Sequence, residues 1–213
     1  IAAVLSYVRQ SFGNNLPFIT AEQVKSVRTK TAGRQDFYLV EELMARVGLE
    51  GGVTLRVRCV ETDKSSPWSG LLGAARGGLL EARGIASAPA SAHAAFAAQI
   101  TEWGDRYRGA GGTEPAPLPR AFTELMRAAA DEQPVLVVAD DCHYLDVESF
   151  QSLAALPRDV PAAPIMLLLT AEPTVPSDTL DALRSRFGRD LHGEVVELGP
   201  LTDDALSAMA RAV

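Results

Sequence analysis

The sequence predicts a layered α/β fold, a parallel sheet covered by helices on both faces, and three features lead to it. Val135-Leu136-Val137-Val138-Ala139 and Ile165-Met166-Leu167-Leu168-Leu169 are continuously apolar, as strands must be when helices cover both of their faces. From Leu39 onward, segments of helical periodicity alternate with such runs, which is the order of a parallel sheet with crossover helices. The 213 residues are enough to bury the core that this arrangement needs.

The elements follow in order. Ile1, Val4, Leu5, Val8 and Phe12 recur at helical spacing, with Gly13-Asn14-Asn15 as the stop. Thr20-Ala21-Glu22-Gln23 has the form of a capping box, and Val24 and Val27 continue a second short helix. Neither is long enough to be stable alone. A helix starts at Leu39-Val40-Glu41-Glu42-Leu43 and stops at Gly51-Gly52, and Val53 to Cys59 reads as a strand. Helices are expected over Leu71 to Ala82, Ala90 to Tyr107 and Arg120 to Ala130, with Gly109 to Pro119 as a surface connection. After the two apolar strands, Glu194 to Leu198 is a candidate for one more, and a helix starts near Thr202.

The bulk composition narrows the function classes. A net charge of -7 argues against a broad nucleic-acid footprint, so no direct contact with DNA or RNA is expected from this segment. No stretch approaches the roughly 18 uncharged apolar residues of a membrane span, and no signal peptide opens the chain. A soluble, cytoplasmic domain is the expectation. Cys59 and Cys142 have no zinc-site spacing and read as reduced, buried thiols. Ile1 opens directly into a helical pattern and Val213 falls within one, so the chain reads as open at both ends.

The chemistry concentrates in Val135-Leu136-Val137-Val138-Ala139-Asp140-Asp141-Cys142-His143-Tyr144-Leu145-Asp146-Val147-Glu148-Ser149. A buried strand of this kind delivers carboxylates to the carboxyl edge of the sheet, where α/β folds bind ligands. On residue type alone, the reading favoured is that Asp140 and Asp141 end a strand and cap a turn, and that Asp146 N-caps the helix through Leu156. As a whole, the string resembles the Walker B stretch of STAND-class P-loop ATPases, including the large ATP-binding LuxR-type transcriptional regulators. That resemblance implies ATP and Mg²⁺ as cofactors, Asp140 as the metal ligand and Asp141 as the catalytic residue that polarises the attacking water. It extends over about residues 39–213. Leu39 to Leu43 resembles the helix after the phosphate loop, and Arg58-Cys59-Val60-Glu61 with Pro67-Trp68 a strand-end segment. Ile165 to Thr170 resembles the sensor strand, with Ala171-Glu172 where the family carries a trailing Arg. Glu197-Leu198-Gly199-Pro200-Leu201-Thr202 resembles the start of the helical lid.

The phosphate side of such a site is missing from these residues. A phosphate loop needs Gly-x-x-x-x-Gly-Lys-Ser/Thr, so that backbone N–H groups wrap the phosphates and Lys neutralises them. Lys25, Lys30 and Lys64 each precede a hydroxyl, but Val24, Thr29 and Asp63 stand where the adjacent glycine is required. The first 38 residues instead resemble the C-terminal tail of a c-type cytochrome domain, carried by Ile1 to Asn14 and Thr20 to Val24. Haem is not expected, because Cys142-His143 has Ala139 in place of the other cysteine of the attachment motif.

The expected fold is therefore a three-layer P-loop NTPase-like α/β parallel sheet lacking its first strand, with a short N-terminal helical appendage. Its parts are a cytochrome c-like tail at 1–38, an NTPase-like domain at 39–200, truncated at its front, and the start of a lid at 201–213. About four strands are predicted, with 165–169 pairing directly with 194–198. The expected function is a nucleotide-switch domain of a transcriptional regulator with weak or absent ATP binding. The alternatives are a non-enzymatic scaffold that binds protein partners or self-associates, a chimeric fragment, or a remnant of an electron-transfer subunit.

Overall fold

In the computed structural model the described residues are Lys25 and 40–199, apart from 111, 173, 188, 190 and 192. Apart from Lys25, the segments expected to be a cytochrome-like tail (1–38) and the start of a lid (201–213) lie outside them. The chain divides into two compact units, residues 1–179 and 180–213.

The first unit holds the sheet. Helix α1 (Val40–Leu49) leads through Gly51-Gly52 into β1 (Val53–Arg58). After it come α2 (Ser69–Arg76), α3 (Ala90–Ala97), α4 (Thr101–Arg106) and α5 (Leu118–Glu132). Strand β2 (Val135–Asp140), helix α6 (Val147–Asp159) and strand β3 (Ile165–Leu169) complete the βαβ pattern. The order is β1-β2-β3, all parallel, with Arg58 in register with Asp140 and Ala139 with Leu169. Central β2 is buried from Val135 to Ala139 because strands flank it and helices cover it, which accounts for the unbroken apolar run. The second unit contains most of α7 (Asp178–Arg184) and an isolated bridge between Phe187 and Leu191.

Two helices expected from periodicity are broken. Ala90 to Tyr107 is not one helix but α3 and α4, joined through extended Ile100 (φ -132°, ψ 113°). In one straight helix His93 and Tyr107 would lie about 21 Å apart. Here the chain folds back and their rings stack at 4.0 Å, with Trp103 packed 5.0 Å from Phe96. Burial of the aromatic residues overrides local propensity. The helix expected over Leu71 to Ala82 ends at Arg76, because Gly77-Gly78 crosses the outer edge of β1 and a short 3₁₀ turn follows at Leu79–Glu81.

The fourth strand is a correction. Residues 194–198 carry no strand, and among the described residues β2 is the sole strand partner of β3 and the sheet has three strands where about four were expected. Val195, Val196 and Leu198 are 46%, 65% and 70% exposed. As a strand, this segment would place Glu194 on one face and Glu197 on the other. An interior position in a helix-covered sheet would therefore bury a carboxylate on either side, which is costly without a partner.

Candidate active site at the carboxyl ends of the strands

Parallel pairing brings the ends of β1, β2 and β3 to one edge. Cys59 N–H donates to Asp140 O at 3.0 Å, Thr170 N–H to Ala139 O at 3.0 Å and Cys142 N–H to Thr170 O at 2.8 Å. Asp140 is half-buried at the end of β2, and Asp141 is exposed and turns the chain in the left-handed region (φ 55°). Thr170 joins them. Its hydroxyl donates to Asp140 Oδ1 at 2.7 Å and accepts from Asp141 N–H at 3.0 Å. The sequence marks Thr170 only as the end of a sensor-like strand. A hydroxyl closing an apolar run beside an acidic pair is the signal that carries this brace.

The rest of the string does different work. Asp146 is 1% exposed and N-caps α6, accepting from Ser149 N–H at 2.9 Å. The same carboxylate also accepts from Trp68 N–H at 2.9 Å, Gly70 N–H at 3.0 Å and the Ser69 hydroxyl at 3.1 Å. Ser149 Oγ accepts from Leu71 N–H at 3.0 Å. Asp146 and Ser149 thus cap the N-termini of both α6 and α2, satisfying orphan amides and placing negative charge at two positive helix ends. Burial pushes the Asp146 carboxyl up, but the hydrogen bonds from Ser149, Gly70 and Trp68 outweigh it and hold it below the usual carboxylate value. Trp68 takes a left-handed conformation (φ 69°) to bring its amide into the clamp.

His143 is 4% exposed, and its Nδ1 accepts from Glu172 N–H at 3.3 Å, tying the turn after β2 to the segment after β3. Its ring packs 4.1 Å from Tyr144, over which Lys64 Nζ lies at 5.2 Å. Cys59 and Cys142 are buried thiols. Burial, helped by Cys142 and nearby carboxylates, pushes the Cys59 thiol up to about 12, which makes it unreactive.

The acidic edge fits Mg²⁺ in the ordinary way, and the described residues do not fit a triphosphate. Mg²⁺ is usually held by one or two carboxylates, with water and phosphate oxygens completing the octahedron. Asp140, one of whose oxygens is fixed by Thr170, meets that requirement, with Asp141 as the exposed neighbour. Among the described residues no three His, Cys, Asp or Glu side chains form a metal cage of their own. Lys64 lies over Tyr144 and follows Asp63 where a phosphate loop has glycine.

A parallel sheet with carboxylates at its carboxyl edge and helices between its strands defines a P-loop NTPase-like α/β domain. A family model described as AAA ATPase domain matches residues 38–169, more than half of the chain, and the chain belongs to that family. No curated protein and no solved structure matches it. Among the described residues no helix is long and apolar enough to cross a membrane.

Proposed function

We propose that this domain is the nucleotide switch of a LuxR-type, STAND-class transcriptional regulator, and that it keeps the Mg²⁺ side of its site while binding ATP poorly. The observation that carries this reading is the Thr170-braced Asp140-Asp141 pair at the end of a buried strand. Asp140 takes the metal-ligand role, and Asp141, exposed beside it, the water-polarising role. The lack of a Gly-Lys-Ser/Thr loop in the sequence supports weak binding, because two carboxylates add only negative charge where phosphates must sit. DNA recognition belongs to a separate domain of the parent regulator, in keeping with the net charge of -7. The aqueous cytoplasm is where such a switch would work. Steady-state hydrolysis of Mg-ATP tests the proposal. The expected result is release of phosphate no faster than background, whereas turnover that disappears in Asp141→Asn would overturn the impaired-binding reading.

A further inference from the structure

The end of β1 places a cation beside the acidic edge. Side chains alternate along a strand, and residues paired in a parallel ladder lie on the same face. Leu55, Val57 and Cys59 are buried on one face of β1, where a Cβ at Gly73 of α2 would lie 3.5 Å from Val57 Cγ1. Arg58 therefore stands on the other. It is in register with Asp140, and Thr170, one residue beyond the paired Leu169 and Ala139, lies opposite Asp140 on the far side. The bond from the Thr170 hydroxyl to Asp140 Oδ1 shows that this face is shared. Arg58, Asp140 and Thr170 thus form a row across the carboxyl ends of all three strands.

The two flanks of Asp140 are not alike. Thr170 occupies one carboxylate oxygen, whereas Arg58 is exposed and its guanidinium makes no hydrogen bond or ion pair with a described residue. Lys64, the next cation along the chain, is held over Tyr144. Neighbouring strands run about 4.8 Å apart, so a metal ion on Asp140 would have Arg58 as its direct neighbour. A guanidinium there repels a bare divalent ion. It attracts the same ion when phosphate oxygens accompany it, because its planar fork matches a phosphate group in charge and shape.

We propose that Arg58 is a specificity-determining residue of this site, which takes a divalent cation together with a single phosphate group and disfavours the cation alone. The recognised group is the phosphate itself, free or carried on a nucleoside. The inference rests on the metal-ligand role proposed for Asp140. It also fits a weak hold on ATP, since one guanidinium serves one phosphate and leaves the rest of a triphosphate uncradled.

Electron paramagnetic resonance of free Mn²⁺, standing in for Mg²⁺, tests this on the full chain with inorganic phosphate, with AMP and with neither, each against a protein-free series. Wild type is expected to bind Mn²⁺ at least about threefold more tightly when either phosphate is present. Arg58→Gln, at an exposed position, is expected to hold Mn²⁺ alone at least as tightly as wild type and to lose the phosphate effect. Arg58→Lys keeps the charge without the fork and should restore only part of that effect. The proposal is overturned if phosphate acts equally on wild type and Arg58→Gln, if it has no effect on wild type, or if only AMP acts. Mn²⁺ binding that survives Asp140→Asn, or none by any form, contradicts the metal-ligand reading beneath it and removes both.

Discussion

Asp140-Asp141 and Asp146-x-x-Ser149 belong to one short stretch of sequence and have opposite fates. The first pair is half-buried and exposed, held by a single hydroxyl. The second is buried and saturated, with Asp146 accepting four hydrogen bonds and joining two helices. A carboxylate whose lone pairs are spent on backbone amides cannot serve a ligand, and one left open at a strand end can. One half of the string is therefore architecture, the other is left open for the ligand role proposed for it, and burial separates the halves.

Substitutions should separate them in the same way. Asp146→Ala removes the cap of α6 and leaves buried amides of α2 unpaired. A loss of about 3–5 kcal/mol is expected in urea unfolding. A loss under about 1 kcal/mol would show that the clamp does not hold the fold. The pH dependence sharpens this. Because the folded-state value of Asp146 is depressed, its stabilisation is complete above the ordinary carboxyl value of about 3.9 and is lost as pH falls through the lower folded value. The gap between wild type and Asp146→Asn should therefore close only in strong acid.

Gly70→Ala probes the same clamp from α2. A Cβ there would lie 2.2 Å from Leu145 Cδ1 and 2.9 Å from Ser149 Cβ, and the second contact cannot yield without moving α6. A cost of about 1–3 kcal/mol in the same assay is expected. Near His93, burial lowers the imidazole value and an interaction with the Ile85 backbone offsets this only in part. Its Nδ1 accepts from Trp103 Nε1 at 3.2 Å, so the fold selects the neutral ring. The sign follows: this contribution is complete above the unfolded value of about 6.5 and declines as pH falls below it. Replacing His93 with Gln should flatten the stability profile between about pH 7 and 5, read by thermal melts.

The open pair should give the smallest effects. Asp140→Asn weakens one hydrogen bond and is expected to cost about 1 kcal/mol. Asp141→Gly relieves a left-handed non-glycine residue and is expected to leave stability unchanged or raise it by up to about 1 kcal/mol. A large loss at Asp141 would place it in the architecture with Asp146.

Much of this was legible in the sequence. The apolar runs of β2 and β3 mark buried strands, and the stop at Gly51-Gly52 marks the end of α1. Asp146 is readable as a cap because the helix starts beside it, but its reach to Trp68 and Gly70 is not, since they lie 78 and 76 positions away in sequence. The break between α3 and α4 is set by the stacking of His93 on Tyr107, a tertiary contact without a local signal. Glu194 to Leu198 misled in the opposite sense: its valines suit a strand, and only the placement of its two glutamates argues against an interior one.

Calorimetric titration of the full chain with Mg-ATP tests the central claim most directly, that carboxylates survive here without a phosphate cradle. No saturable heat is expected up to about millimolar nucleotide in wild type or Asp140→Asn, because the sequence offers no glycine-framed lysine to the phosphates. Saturable micromolar binding that is lost in Asp140→Asn would contradict it.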